Sequence, residues 1–204
     1  MRNKKLIGTG IALITPFNND YSIDFKSLEN LIDNLIETVD YFVVMGTTAE
    51  SSTLSLVEQN SIIEFISKKV ENRIPLVLGV GGNNTLHIKN VINELNLDSF
   101  EAVLSVVPYY NKPTQQGLVA HYSSIAEISP VDIILYNVPS RTALNIESST
   151  IISLAKKYPN IIGVKEASGD IAQCMDLINH APTDFMIISG DDKMTFPIMS
   201  LGGV

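Results

Sequence analysis

The chain of 204 residues is short of cysteine, of positive charge and of long apolar runs. Its one cysteine, Cys174, excludes an internal disulfide and suits a reducing compartment. It falls in a predicted helix and reads as inert packing. Fourteen Lys and Arg face twenty-two Asp and Glu, a formal net charge of −8. The basic residues cluster only as the pairs Lys4–Lys5, Lys68–Lys69 and Lys156–Lys157. The last two pairs sit near predicted helix C-termini, where cations suit the helix dipole. A protein that neutralises phosphates carries a basic face, so the expectation is no nucleic-acid partner. No apolar run approaches the roughly 20 residues of a membrane span. The N-terminus "MRNKKLIGTG" lacks the full apolar region and cleavage site of a signal peptide. A soluble cytoplasmic protein with no membrane partner is expected.

What is present is a rhythm. Hydrophobic residues make up 45% of the chain, which argues for a packed core. Short runs rich in Val and Ile recur about every thirty residues: 10–15, 41–45, 75–80, 102–107, 132–137, 161–165 and 185–189. Each reads as a strand buried on both faces. Helical patterns fill the intervals: 25–38, with Asp24 as its cap, 56–70, 85–95, 114–128, 147–157 and 170–179, with Asp170 as its cap. A weaker pattern spans 193–201, interrupted by Pro197. Such alternation predicts a parallel sheet with right-handed crossovers. Seven β/α units without a Gly-rich dinucleotide fingerprint predict an α/β (β/α)8 TIM barrel. "GVGGNN" (79–84) lacks the Lys-Ser/Thr of a P-loop and reads as a tight βα turn. The barrel is one strand short: it is expected to be a single incomplete domain over 1–204, truncated after the seventh β/α unit, with the eighth strand and C-terminal helices absent. Its first and seventh strands would then be unpaired edges, so the chain alone is expected to aggregate or to need a completing chain.

In a barrel the reacting groups gather at strand C-termini. Those positions hold "GTTAESS" (46–52), "PYYNKPT" (108–114), "YNVPSRT" (136–142), Lys165 and "SGDD" (189–192). Lys165 ends an apolar strand. A surface lysine paired with Glu166 is the plainer reading of that residue alone. A lysine kept dry as a nucleophile is the other: at an ordinary pKa only about one amine in 2,500 is neutral at pH 7, and burial lowers that pKa. Alternation sets Lys165 and Glu166 on opposite faces, which weakens the surface pair. Tyr136 ends the neighbouring strand and can move protons if hydroxyls such as Thr47, Thr48 and Tyr110 support it; core packing is the competing reading. Arg141 offers a bidentate grip on a carboxylate, or a surface salt bridge. His87, His121 and His180 show no metal-ligand spacing, so no metal is expected. The "GDD" from Gly190 caps the next helix more simply than it binds a cation.

"GTTAES", "PYYNKPTQQGL", "YNVPSRTA", "GVKEASGD" and "SGDD" together resemble the dihydrodipicolinate synthase (4-hydroxy-tetrahydrodipicolinate synthase) family of the N-acetylneuraminate lyase superfamily. The resemblance runs through nearly the whole chain. It implies a homotetrameric lyase without a cofactor, using pyruvate and aspartate semialdehyde in diaminopimelate and lysine biosynthesis. By that resemblance Lys165 forms the imine and enamine. Tyr136, Thr47 and Tyr110 relay protons, with Tyr110 coming from a neighbouring subunit. Thr48 and nearby backbone N–H groups, with the rim at Gly190, hold pyruvate, and Arg141 holds the semialdehyde carboxylate. The alternatives are a related pyruvate aldolase acting on a sugar acid, or a non-catalytic truncated remnant.

Two departures within the motifs stand out. Ala49 replaces the glycine of "GTTGE", which costs about 1 kcal/mol or more if that position needs a positive φ. At the family's allosteric lysine site Ser51, Asn83 and Tyr109 fit the pattern. His87 and Leu56 stand where lysine-sensitive members carry a glutamate and a histidine. Weak or absent inhibition by lysine is expected.

Overall fold

The computed structural model describes residues 4–204. Seven strands form one sheet in chain order: β1 (Gly10–Ala12), β2 (Tyr41–Val44), β3 (Leu76–Gly79), β4 (Ala102–Val106), β5 (Asp132–Asn137), β6 (Ile161–Glu166) and β7 (Met186–Ser189). The pairs β1–β2, β2–β3, β5–β6 and β6–β7 are parallel. A helix follows every strand: α1 (Phe25–Leu35), α2 (Leu56–Val70), α3 (Thr85–Glu94), α4 (Gln115–Ala126), α5 (Pro139–Thr142) with α6 (Ser148–Lys157), α7 (Ile171–His180) and α8 (Asp192–Leu201). This is the order of seven consecutive units of a (β/α)8 barrel. No described helix is long and apolar enough to cross a membrane.

The chain divides into two compact units. Among the described residues, one comprises 4–79 and 98–102. Its core is the apolar stripe of α1 (Leu28, Ile32) and that of α2 (Ile62, Ile66, Val70), with the β-branched and aromatic faces of β2 and β3. Asp24 caps α1 by accepting from Ser27 N–H, and Ser55 and Glu58 form a reciprocal capping box on α2. Lys69 in the last turn of α2 reaches Glu29 and Asp33 of α1. Gly79 has no substitute: a Cβ there would lie 2.3 Å from the Met45 carbonyl oxygen.

The other unit comprises residues 80–97 and 103–204. Leu118, Tyr122 and Ile125 of α4, Ile151 and Leu154 of α6, Leu177 of α7 and Ile198 of α8 are buried, as are Ile133, Leu135 and Val164 of β5 and β6. The segment after β3 is a short turn into α3, capped by Asn84 on His87 N–H. Asp170 caps α7 through Ala172 and Gln173 N–H, and Asp191 caps α8 through Lys193 N–H. The helix α8 runs unbroken through Pro197 despite the lost ladder bond. Its N-cap, the buried Ile198 and a left-handed C-cap at Gly202 hold it.

β5 and β6 carry one irregularity with a large effect. Ile133 faces Ile161, but Ile134 faces Gly163, so Ile162 is an extra residue in β6. Beyond this bulge Tyr136 pairs with Lys165 and Asn137 with Glu166. Without it Tyr136 would face Val164.

Candidate active site

The register beyond the bulge puts Lys165 and Tyr136 on the same face of adjacent strands. Lys165 Nζ lies 4.8 Å from the centroid of the Tyr136 ring, a cation–π distance. Tyr136 is 8% exposed, whereas Lys165 is half-buried. Burial lowers the Lys165 pKa below the ordinary lysine value, and the Asp192 carboxylate pulls weakly in the opposite direction. An amine nearer to neutrality, with an aromatic hydroxyl on the adjacent strand, is the pairing that nucleophilic attack on a carbonyl needs.

Gly190, just past β7, closes on this pair. A Cβ there would stand 3.0 Å from Lys165 Cε and 2.9 Å from the Ala167 Cβ, so the lysine stem occupies the space a side chain would fill. Its N–H donates to the Glu166 carbonyl at 2.8 Å. Glu166 points away from Lys165. It is 1% exposed and accepts from Asn137 Nδ2 (3.0 Å to each oxygen), Gln173 Nε2 (2.9 Å) and Ser168 N–H (2.8 Å). Sequence reasoning set Glu166 on the far face but missed these amide partners. The only available signal was the pairing of "YN" with "KE" at neighbouring strand ends.

The other expected site residues are distributed as follows. Arg141 is exposed on α5, in the turn that follows Tyr136. Tyr110 is 90% exposed with a φ of +73°, so within this chain it faces solvent and does not join the pair. Asn83 and Tyr109 are linked, Asn83 Nδ2 donating to the Tyr109 carbonyl at 3.1 Å, and His87 is exposed on α3. Thr47 and Thr48 belong to the first-described unit, both exposed on a 3-10 turn (Thr47–Ala49). Ser51 begins the following 3-10 turn, Ser51–Thr53. Ala49 is buried, with its carbonyl bonded by the Thr15 hydroxyl at 2.7 Å. The left-handed residue of this segment is Glu50, at φ +54°, while Ala49 is not among the positive-φ residues. Alanine at that position therefore carries no left-handed strain.

The dihydrodipicolinate synthetase family matches residues 5–204. The chain belongs to this family. A 4-hydroxy-tetrahydrodipicolinate synthase of Flavobacterium psychrophilum is 50% identical over 198 residues, covering 97% of this chain and 68% of that one. Among solved structures, the 4-hydroxy-tetrahydrodipicolinate synthase of Methylacidiphilum fumariolicum SolV superposes with a TM-score of 0.93 at 41% identity, over 97% of this chain and 66% of that one. A chloride-inhibited dihydrodipicolinate synthase of Acinetobacter baumannii complexed with pyruvate superposes with a TM-score of 0.92 at 40% identity, over 96% of this chain and 67% of that one. This member of the dihydrodipicolinate synthetase family thus spans about two thirds of the length of these relatives.

Proposed function

We propose that the chain condenses pyruvate with aspartate semialdehyde to 4-hydroxy-tetrahydrodipicolinate, acting as a lyase through an imine on Lys165, at the entry to diaminopimelate and lysine biosynthesis. The observation that carries this reading is the half-buried Lys165 amine over the Tyr136 ring, its pKa lowered by burial. The neutral amine adds to the ketone carbon of pyruvate. Loss of water from the carbinolamine gives the iminium, and loss of a methyl proton gives the enamine. The enamine carbon bonds to the semialdehyde carbon. The semialdehyde amine then displaces Lys165 as the ring closes, which returns the lysine free. Tyr136 handles the protons of these steps, and Arg141 in the adjoining turn takes the semialdehyde carboxylate.

The relay role of Thr47 and Thr48's hold on the pyruvate carboxylate belong to the same proposal and rest on the motif alone. So does assembly into a homo-oligomer, a tetramer by family resemblance; the outward-facing Tyr110 suits delivery to another copy. With Leu56 and His87 at positions 56 and 87, inhibition by free lysine is weak or absent.

The test is reduction with borohydride in the presence of pyruvate, followed by peptide mass spectrometry of the 204-residue chain. A stoichiometric pyruvyl adduct on Lys165, and none on Lys165→Ala, supports the mechanism and overturns the expectation that the chain alone aggregates or needs a completing chain. Absence of an adduct from chain that circular dichroism shows to be folded, or an adduct on another lysine, refutes the mechanism. Arg141→Ala should leave the adduct intact and remove turnover of aspartate semialdehyde. Indifference to that change would point to a different acceptor aldehyde.

A further inference from the structure

We infer that Glu166 is a positioning residue for the Lys165–Tyr136 pair: its carboxylate gathers amide donors behind the sheet and thereby fixes the strand ends that carry the two reacting side chains. This rests on the reading of Lys165 as the imine-forming residue.

The geometry is a closed network. Asn137 Nδ2 bridges both Glu166 oxygens and also donates to Asn145 Oδ1 at 2.7 Å. Asn145 Nδ2 donates to Gln173 Oε1 at 2.8 Å, and Gln173 Nε2 returns to Glu166. Asn137 Oδ1 accepts from Ile146 N–H. The network ties the end of β5, the segment before α6, the end of β6 and α7. Asn137 directly follows Tyr136, and Glu166 directly follows Lys165, in the same register. Fixing the second pair on one face therefore fixes the first pair on the other. The backbone extends the tie: Ala167 N–H donates to the Asn137 carbonyl, and Gly190 N–H to that of Glu166. The latter brings the glycine against the Lys165 stem.

The chemistry calls for a carboxylate specifically. Among the described residues the side-chain oxygens of Glu166 accept only from N–H groups, and an ionised carboxylate accepts without donating. A glutamine would turn its own NH2 toward other donors. Holding a sheet together does not require this; apolar packing does so at least as well as a buried ion. What a fully satisfied polar network adds is a single geometry.

The experiment compares Glu166→Gln, the swap Glu166→Gln/Gln173→Glu, the milder Gln173→Ala and the control Asn160→Ala. The control loses one hydrogen bond, to the Ala126 carbonyl, at the opposite end of β6. Two readouts are taken: the titration of Lys165 by NMR after reductive 13C-methylation, and the rate of pyruvate adduct trapping. Glu166→Gln should move the Lys165 titration up toward the ordinary lysine range and slow trapping about tenfold or more. Gln173→Ala should do the same in smaller measure, and the swap should restore part of both. Asn160→Ala should move neither readout, even where its loss of thermal stability is equal. Wild-type titration and trapping in Glu166→Gln, or equal shifts in Asn160→Ala, overturn the inference. If Glu166→Gln fails to fold, Gln173→Ala decides by the same two outcomes. If the parent chain forms no adduct, the imine reading fails, while the titration still decides whether Glu166 positions the amine.

Discussion

His121 makes the stability of this chain depend on pH in a window where most carboxylates are silent. It lies on α4, 6% exposed, edge-on to Tyr122. Nδ1 bonds the Thr85 hydroxyl at 2.7 Å, while buried Nε2 has no hydrogen-bond partner among the described residues. Burial pushes its pKa from the ordinary 6.5 down to about 4. The folded chain thus keeps the ring neutral where the unfolded chain protonates it. A depressed folded-state pKa means stability that is complete above pH 6.5 and lost as pH falls toward 4. The full loss corresponds to about 3 kcal/mol, and between neutrality and pH 5 to about 2 kcal/mol. The assay is urea unfolding followed by circular dichroism at a series of pH values, for the parent and for His121→Gln. The variant begins less stable, because it loses packing against Tyr122. Its stability should then change by about 2 kcal/mol less than the parent's over the same interval. Parallel pH profiles would refute the assignment, because they would place the proton-linked loss elsewhere.

Other outcomes follow from single sites. Gly190→Ala forces a Cβ against Ala167 and the Lys165 stem; the expected result is a loss of about 1–3 kcal/mol in unfolding free energy and a fall in pyruvate trapping of up to about 100-fold. Trapping at the parent rate would show that the lysine moves aside freely. Ser55→Ala removes the capping box of α2 and should cost about 1 kcal/mol in urea unfolding. Cys174 is buried and its thiol is raised to about 11 by burial, with help from Glu166 and Asp170. It should react with a disulfide reagent at pH 8 only as fast as the chain unfolds, and fast labelling under native conditions would contradict this placement.

The strands were legible because each is a short β-branched run between turn residues, and that signal needs no tertiary information. The caps at Asp24, Asp170 and Asp191 were legible for the same reason, since a cap is a local bond. α8 was undervalued: Pro197 is a local warning, whereas the burial of Ile198 that overrides it comes from packing. Lys165 and Tyr136 could be placed at neighbouring strand ends, but their facing register could not. It depends on the extra residue Ile162, which leaves no mark in a run of uniformly apolar residues. The amides around Glu166 lie 7, 8 and 28 positions from their partners, and each pair joins different elements, so no pattern within one strand or helix reveals them.

The bulge at Ile162 also sets which parts of this chain can change length. Loops between units can absorb an added or lost residue, because the strands they join keep their own inside and outside. β6 cannot: removing one residue between the bulge and Lys165 would leave every local preference intact and yet turn the amine toward the helices, with the glutamate swung into its place. An insertion scan across residues 158–168 should therefore find tolerance before the strand, and an abrupt loss of the pyruvate adduct within it.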